Sequence, residues 1–204
     1  MRLPDPFTHP QYNGLGFDKA TLIDNDPMIR DELPNGKVNE VKTATQYWGL
    51  NISYPVMFPD EYAVLSSAIL EYKRTRGYLD VILPHYESYR VKGDANNCRI
   101  AAGQKGSTLV ITNTSSLSGE PKPGDLFQLT THPKVYKITS FKNVAGVWTL
   151  NLYPDLLLTT NGSERPRFNG ILFQTKLMNG DSFSEEITVD GVYDGVNLVL
   201  RESL

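Results

Sequence analysis

The chain has 204 residues, 40% apolar and 21% charged, the balance of a globular protein large enough to fold around its own core. Its formal net charge is −3 and it lacks a Lys/Arg block, which argues against a surface built to grip nucleic-acid phosphates. No apolar run reaches the ~18 residues of a membrane span, and the lone Cys98 cannot close an internal disulfide, as expected of a fold made in a reducing compartment.

Residues 1–20 read as an arm. Pro4, Pro6 and Pro10 oppose helix and central-strand pairing, while Tyr12, Leu15 and Phe17 are apolar enough to dock. The arm is either an irregular extension of its own subunit or a segment that packs on a neighbour. It has no hydrophobic signal core. Strands are expected at 20–23 and 38–48, joined by the turn-rich stretch DNDPMIRDELPNG, in which Asn35-Gly36 is a strong hairpin signal. In the second strand Val41, Thr43, Thr45 and Tyr47 alternate with Lys42, Ala44 and Gln46, which suits a sheet with one wetter face.

One helix is expected, from about residue 59 to 76. Pro59 is tolerated in a first turn, and Asp60 and Glu61 oppose the positive end of the helix dipole. Lys73, Arg74 and Arg76 sit at its negative end, and Gly77 is the expected left-handed cap. Tyr62, Leu65, Ile69 and Tyr72 form one apolar stripe, placed to bury against a sheet. A strand at 78–83 then stops at Pro84.

From 86 to about 154 the sequence predicts a small barrel of the OB or SH3 type. Its strands are expected at 89–91, 109–113, 125–130, 135–141 and 148–153, separated by Gly-, Asn- and Pro-rich turns. Residues 161–166 read as a linker. Strands follow at 170–177, 182–189 and 196–201, with turns at Asn179-Gly180 and Asp190-Gly191.

Catalytic signatures are missing. His9, His85 and His132 each adjoin a proline and share no metal-ligand spacing; neither a nucleophile elbow nor a phosphate-binding glycine loop occurs. The carboxylate pairs Asp24/Asp26, Asp60/Glu61 and Glu185/Glu186 have plainer roles in a turn, a helix start and an exposed strand or loop. No enzyme, cofactor or metal site is expected. The one candidate binding surface lies on the barrel, where Phe127, Tyr136 and Trp148 are interleaved with Lys134 and Lys137. Such a surface would touch sugar or, on fold analogy alone, single-stranded nucleic acid. The plainer reading of the three aromatics is barrel core.

Four stretches carry a resemblance: YWGLNISYP, FPDEYAVLSSAILEYKRTRGYLDVILP, PKPGDLFQLTTHPKVYKITSF and the tail from FNGILFQTKLMNGDSF to LRESL. Together they closely resemble the distal tail proteins (Dit family) of large long-tailed coliphages with non-contractile tails. The resemblance implies a mainly β fold with one helix. Residues 1–86 and 166–204 would form a ring-forming β-sandwich, and 87–165 an inserted OB-like barrel. It further implies a hexameric ring at the far end of the tail, joining the tube to hub and fibre proteins and leaving a channel for DNA. The subunit would be made in the host cytoplasm and would insert in no membrane. The alternative is a carbohydrate-binding module that contacts the host surface through the barrel.

Overall fold

The computed structural model describes residues 2–4, 16–83, 90–180 and 183–204. In chain order the elements are β1 (Lys19–Asn25), β2 (Met28–Glu32), β3 (Val38–Lys42), β4 (Tyr47–Ser53), α1 (Pro59–Thr75) and β5 (Leu79–Ile82). Then come β6 (Lys92–Gly93), β7 (Arg99–Ile100), β8 (Gly106–Thr112), β9 (Leu117–Ser118), β10 (Leu126–Leu129), β11 (Val135–Val144) and β12 (Val147–Leu156). Last are β13 (Pro166–Arg167), β14 (Leu172–Leu177) and β15 (Asn197–Glu202). The fold is mainly β with one α-helix among the described residues.

A five-stranded antiparallel sheet runs in the order β1-β4-β15-β14-β5, so the two ends of the chain share it. Alternation does the work expected of it. In β15, Leu198, Leu200 and Glu202 are buried while Asn197, Val199 and Arg201 face water. Helix α1 covers the inner face with Tyr62, Leu65, Ser66, Ile69 and Tyr72. Leu65 and Ile69 are fully buried among Leu50, Ile52, Leu79 and Phe173, and such burial stabilises by about 1.5–3 kcal/mol per aliphatic side chain. The helix starts with the Phe58 N–H donating to Glu61 at 2.9 Å. It ends one residue earlier than the sequence suggests: Arg76, not Gly77, takes the left-handed conformation (φ 54°). Just beyond the helix the Lys176 ammonium donates to the Arg76 and Gly77 carbonyls at 2.7 and 2.5 Å.

The middle of the chain forms a nearly closed six-stranded sheet, β13-β10-β11-β12-β8-β7, around a second core containing Phe127, Tyr136 and Trp148. Strands β11 and β12 run past the ends expected for them, because Ala145 and Gly146 both take positive φ (51° and 78°) in a two-residue turn that matches strand twist.

Further expectations need correction, among them the strand at 89–91, whose described residues Arg90 and Val91 lie in no strand. The stretch 38–48 is two strands, broken where the Thr43 N–H donates to the Pro27 carbonyl. The connection before it holds β2, which pairs with β3 into a separate two-stranded ribbon. Residues 161–166 are no free linker: Pro166 pairs with Leu129, and Glu164 is fully buried. The strand expected at 182–189 is absent from the described part, 183–189. There the chain runs along α1 instead, with Ser66 donating to Glu185 at 3.1 Å and Ile187 bridging to Tyr193. Most of the N-terminal arm, together with His9 and His85, lies outside the described residues.

Candidate functional site

The densest buried polar chemistry lies where the barrel meets the five-stranded sheet. Strand alternation aims the Glu202 side chain inward at the end of β15, beside Trp48 on the neighbouring strand β4. Lys134 and Val135 arrive from the start of β11. Glu202, fully buried at its side chain, accepts from the Val135 N–H at 2.8 Å and the Trp48 N–H at 3.1 Å, and forms an ion pair with the equally buried Lys134 ammonium. Burial pushes the Glu202 carboxyl up and the Lys134 ammonium down, and each charge opposes the shift of the other. Two backbone N–H groups and the ammonium together serve the carboxylate, which is what an ion pair needs to persist away from water.

Around this pair the two bodies are tied by further bonds. The Trp48 indole N–H donates to the Val135 carbonyl at 2.7 Å, while the Lys134 and Lys137 ammonium groups lie 5.6 and 5.2 Å from the centre of its ring. Tyr153 of the barrel packs edge-on against Trp48 and donates to Asp24 at 2.8 Å; Gln46 donates to the other Asp24 oxygen at 2.7 Å. Burial raises the Tyr153 hydroxyl pKa, with Asp24 adding to the effect. Gln128 of β10 makes both amide bonds to the Leu172 backbone of β14, at 2.9 and 3.2 Å. Leu126 and Val135 of the barrel strands complete the sheet-side core.

A second buried cluster sits within the barrel. His132 lies 3.7 Å from Glu164 through Nε2 and 3.4 Å from the Tyr136 hydroxyl through Nδ1. Burial lowers the His132 pKa against the pull of Glu164. Burial also opposes ionisation of Glu164, but N–H groups that include those of Asn161 and Gly162 hold its carboxyl below the ordinary range. Tyr136 is pushed up to about 12, chiefly by burial.

The residues expected to form a barrel surface are thereby placed. Phe127, Tyr136 and Trp148 are buried in the barrel core, and Lys134 is buried under Glu202, so the chain as it stands offers none of the four to a ligand. Only Lys137, half-buried beside Trp48, reaches the surface. The physical reason is strand parity: a small closed sheet needs its large rings inside. The carboxylate pairs also have structural roles: Asp24 in the junction, Asp26 paired with Lys42 at 3.0 Å, Glu61 at the helix start and Glu185 on Ser66. Cys98 is buried, which raises its thiol pKa. Among the described residues no three His, Cys, Asp or Glu converge to hold a metal, and no helix is long and apolar enough to cross a membrane. Sequence reasoning missed Glu202 altogether. The signal was a carboxylate on the apolar parity of the strand LVLRE, at the position after Leu198 and Leu200.

A sheet closed by both chain ends, a barrel set into it, and buried charges that hold the two together define a two-body β-protein. The profiles of distal tail protein pb9 match along nearly the whole chain: A domain, N-terminal, over residues 3–86; B domain over 87–171; and A domain C-terminal over 173–204. Distal tail protein pb9 of Escherichia phage T5 is 64% identical over 204 residues, covering 100% of both chains. The chain belongs to the distal tail protein pb9 family and is a structural component of a phage tail.

Proposed function

We propose that this chain forms a ring, with six copies as the expected number, at the far end of the phage tail. There it joins the tail tube to hub and fibre proteins and leaves a channel for DNA. Residues 1–86 and 166–204 form the ring-building body and 87–165 the inserted barrel. The observation that carries the reading is the 64% identity to the T5 protein across all 204 residues. The junction around Glu202 supports it, because a connector between unlike partners must hold its two bodies at one angle, and a buried ion pair with fixed hydrogen bonds defines that angle. A net charge of −3 without a basic block suits a conduit that does not retain passing DNA. The subunit is made in the host cytoplasm, acts by shape and carries out no chemical step. Imaging of tails made with and without the intact gene tests the proposal. Complete, infectious tails lacking this subunit would overturn it.

A further inference from the structure

The two ends of helix α1 carry opposite chemistry on exposed surface. At its N-terminal end Val56, Phe58, Ile187 and Val189 are exposed, Val189 completely. They are gathered there by the pairing of Met57 with Tyr193, by the stack of Tyr193 on Tyr62 at 3.8 Å and by the turn in which the Thr188 N–H donates to the Val192 carbonyl. The carboxylates Asp60, Glu186, Asp190 and Asp194 rim this patch, and none of them forms an ion pair among the described residues. Neither contributing segment, 54–72 or 183–200, contains a single Lys or Arg. At the C-terminal end the signs reverse. Lys73, Arg74 and Arg76 lie in the last turn and cap, Arg74 being already paired with Glu71 at 2.5 Å; Lys176 folds over Tyr78 at 4.5 Å from its ring, and Leu70, Tyr78 and Met178 are exposed.

We infer that these two surfaces dock on each other between copies of this chain, the acidic apolar end of one subunit on the basic apolar end of the next. Seventeen residues of helix separate the ends by about 25 Å, so they cannot meet within one molecule. Pairing like with like about a two-fold axis would oppose carboxylate to carboxylate or guanidinium to guanidinium, which is costly once water is excluded. An antiparallel two-fold pair laid along α1 would also match unlike ends but stops at two copies; a head-to-tail contact, which repeats until it closes into a ring or runs on as a filament, is the form that the tail-ring reading selects. Closure into a ring rests on the tail-ring reading; the contact itself rests on the charges and the exposed apolar groups.

Engineered cysteines test the contact, since the native Cys98 is buried. Asp190→Cys, Arg76→Cys and the double variant are oxidised both in purified tails and as concentrated purified protein. The expected result is a ladder of multimers with the double variant and no cross-link with either single variant. A dimer from a single variant, a cross-link to a chain of different size, or no ladder in either preparation would overturn the inference. Charge reversal gives a second readout. Asp190→Lys and Arg76→Glu should each lower assembly by about tenfold or more, and the combined variant should recover it; failure to recover refutes the pairing. Absence of the wild-type chain from tails would instead sink the tail-ring proposal, and the ladder from purified protein would still decide the contact.

Discussion

Removing the Glu202 side chain should be among the most damaging single truncations in the protein. Glu202→Ala leaves the Lys134 ammonium buried without a counter-charge and orphans the Val135 and Trp48 N–H groups. Breaking a buried pair by deleting one partner costs about 3–5 kcal/mol. With a urea m-value of about 2–3 kcal/mol per molar, that lowers the midpoint by about 1.5 M. Lys134→Met should cost less, about 1–3 kcal/mol, because the carboxyl group keeps both backbone donors, whereas Glu202→Ala takes the acceptor from all three groups at once. The assay is urea unfolding followed by tryptophan fluorescence in a Trp148→Phe background, where Trp48 alone reports on the junction. If Lys134→Met destabilises as much as Glu202→Ala, the carboxylate is not the hub of the junction and the reasoning fails.

Acidification should weaken the barrel through His132. Its folded pKa lies below the ordinary 6.5, so the unfolded chain binds the extra proton first. The stability it contributes is complete above 6.5 and is lost as pH falls through the folded value. Unfolding midpoints measured between pH 8 and pH 5 should fall, and His132→Gln should flatten that slope; an unchanged slope in the variant would assign the effect elsewhere. Ile69→Ala opens a cavity under α1 and should cost about 2–5 kcal/mol in the same urea assay, whereas a cost near zero would mean the stripe is not core. The ribbon β2–β3 is the converse case: Ile29 and Val41 face each other and are both 63% exposed. The double change Ile29→Ala, Val41→Ala should alter the stability of the free chain by about 0.5 kcal/mol or less by calorimetry, and a drop of several kcal/mol would show that the ribbon is packed in solution.

Elements whose chemistry is local were legible in the sequence. The α1 stripe, the acidic start and basic end of the helix, and the Asn143–Gly146 turn follow from spacing and residue type within a few positions, and the structure contains all three. What was not legible depends on partners far away in the chain. Lys176 reaches the chain just past the helix from a hundred positions off, and the cap falls on Arg76 where the glycine rule places it on Gly77. Glu164 reads as linker because it lies in the turn-rich run Asn161–Pro166, while its buried partner His132 is distant in the chain. The barrel aromatics were ambiguous for a different reason. A period of two fixes that residues alternate, but it does not say which face is inside until the sheet closes.

The junction shows why a structural subunit keeps charges in its interior. Apolar packing alone, such as Leu126 and Val135 against the sheet-side core, is nearly indifferent to small rotations of one body on the other. The bonds from Val135, Trp48 and Lys134 to one carboxylate, together with the two-way amide pairing of Gln128 with Leu172, tolerate no such slip, since each lost bond strands a buried polar group. Replacing Lys134 and Glu202 together by apolar residues should therefore cost less than Glu202→Ala, because no charge stays buried, but it still strands the Val135 and Trp48 N–H groups and loosens the angle between barrel and sheet. The two effects separate in solution: the urea midpoint reads stability, and small-angle scattering reads the spread of shapes. A double variant that keeps both its midpoint and its scattering profile would show that the apolar contacts alone set the angle.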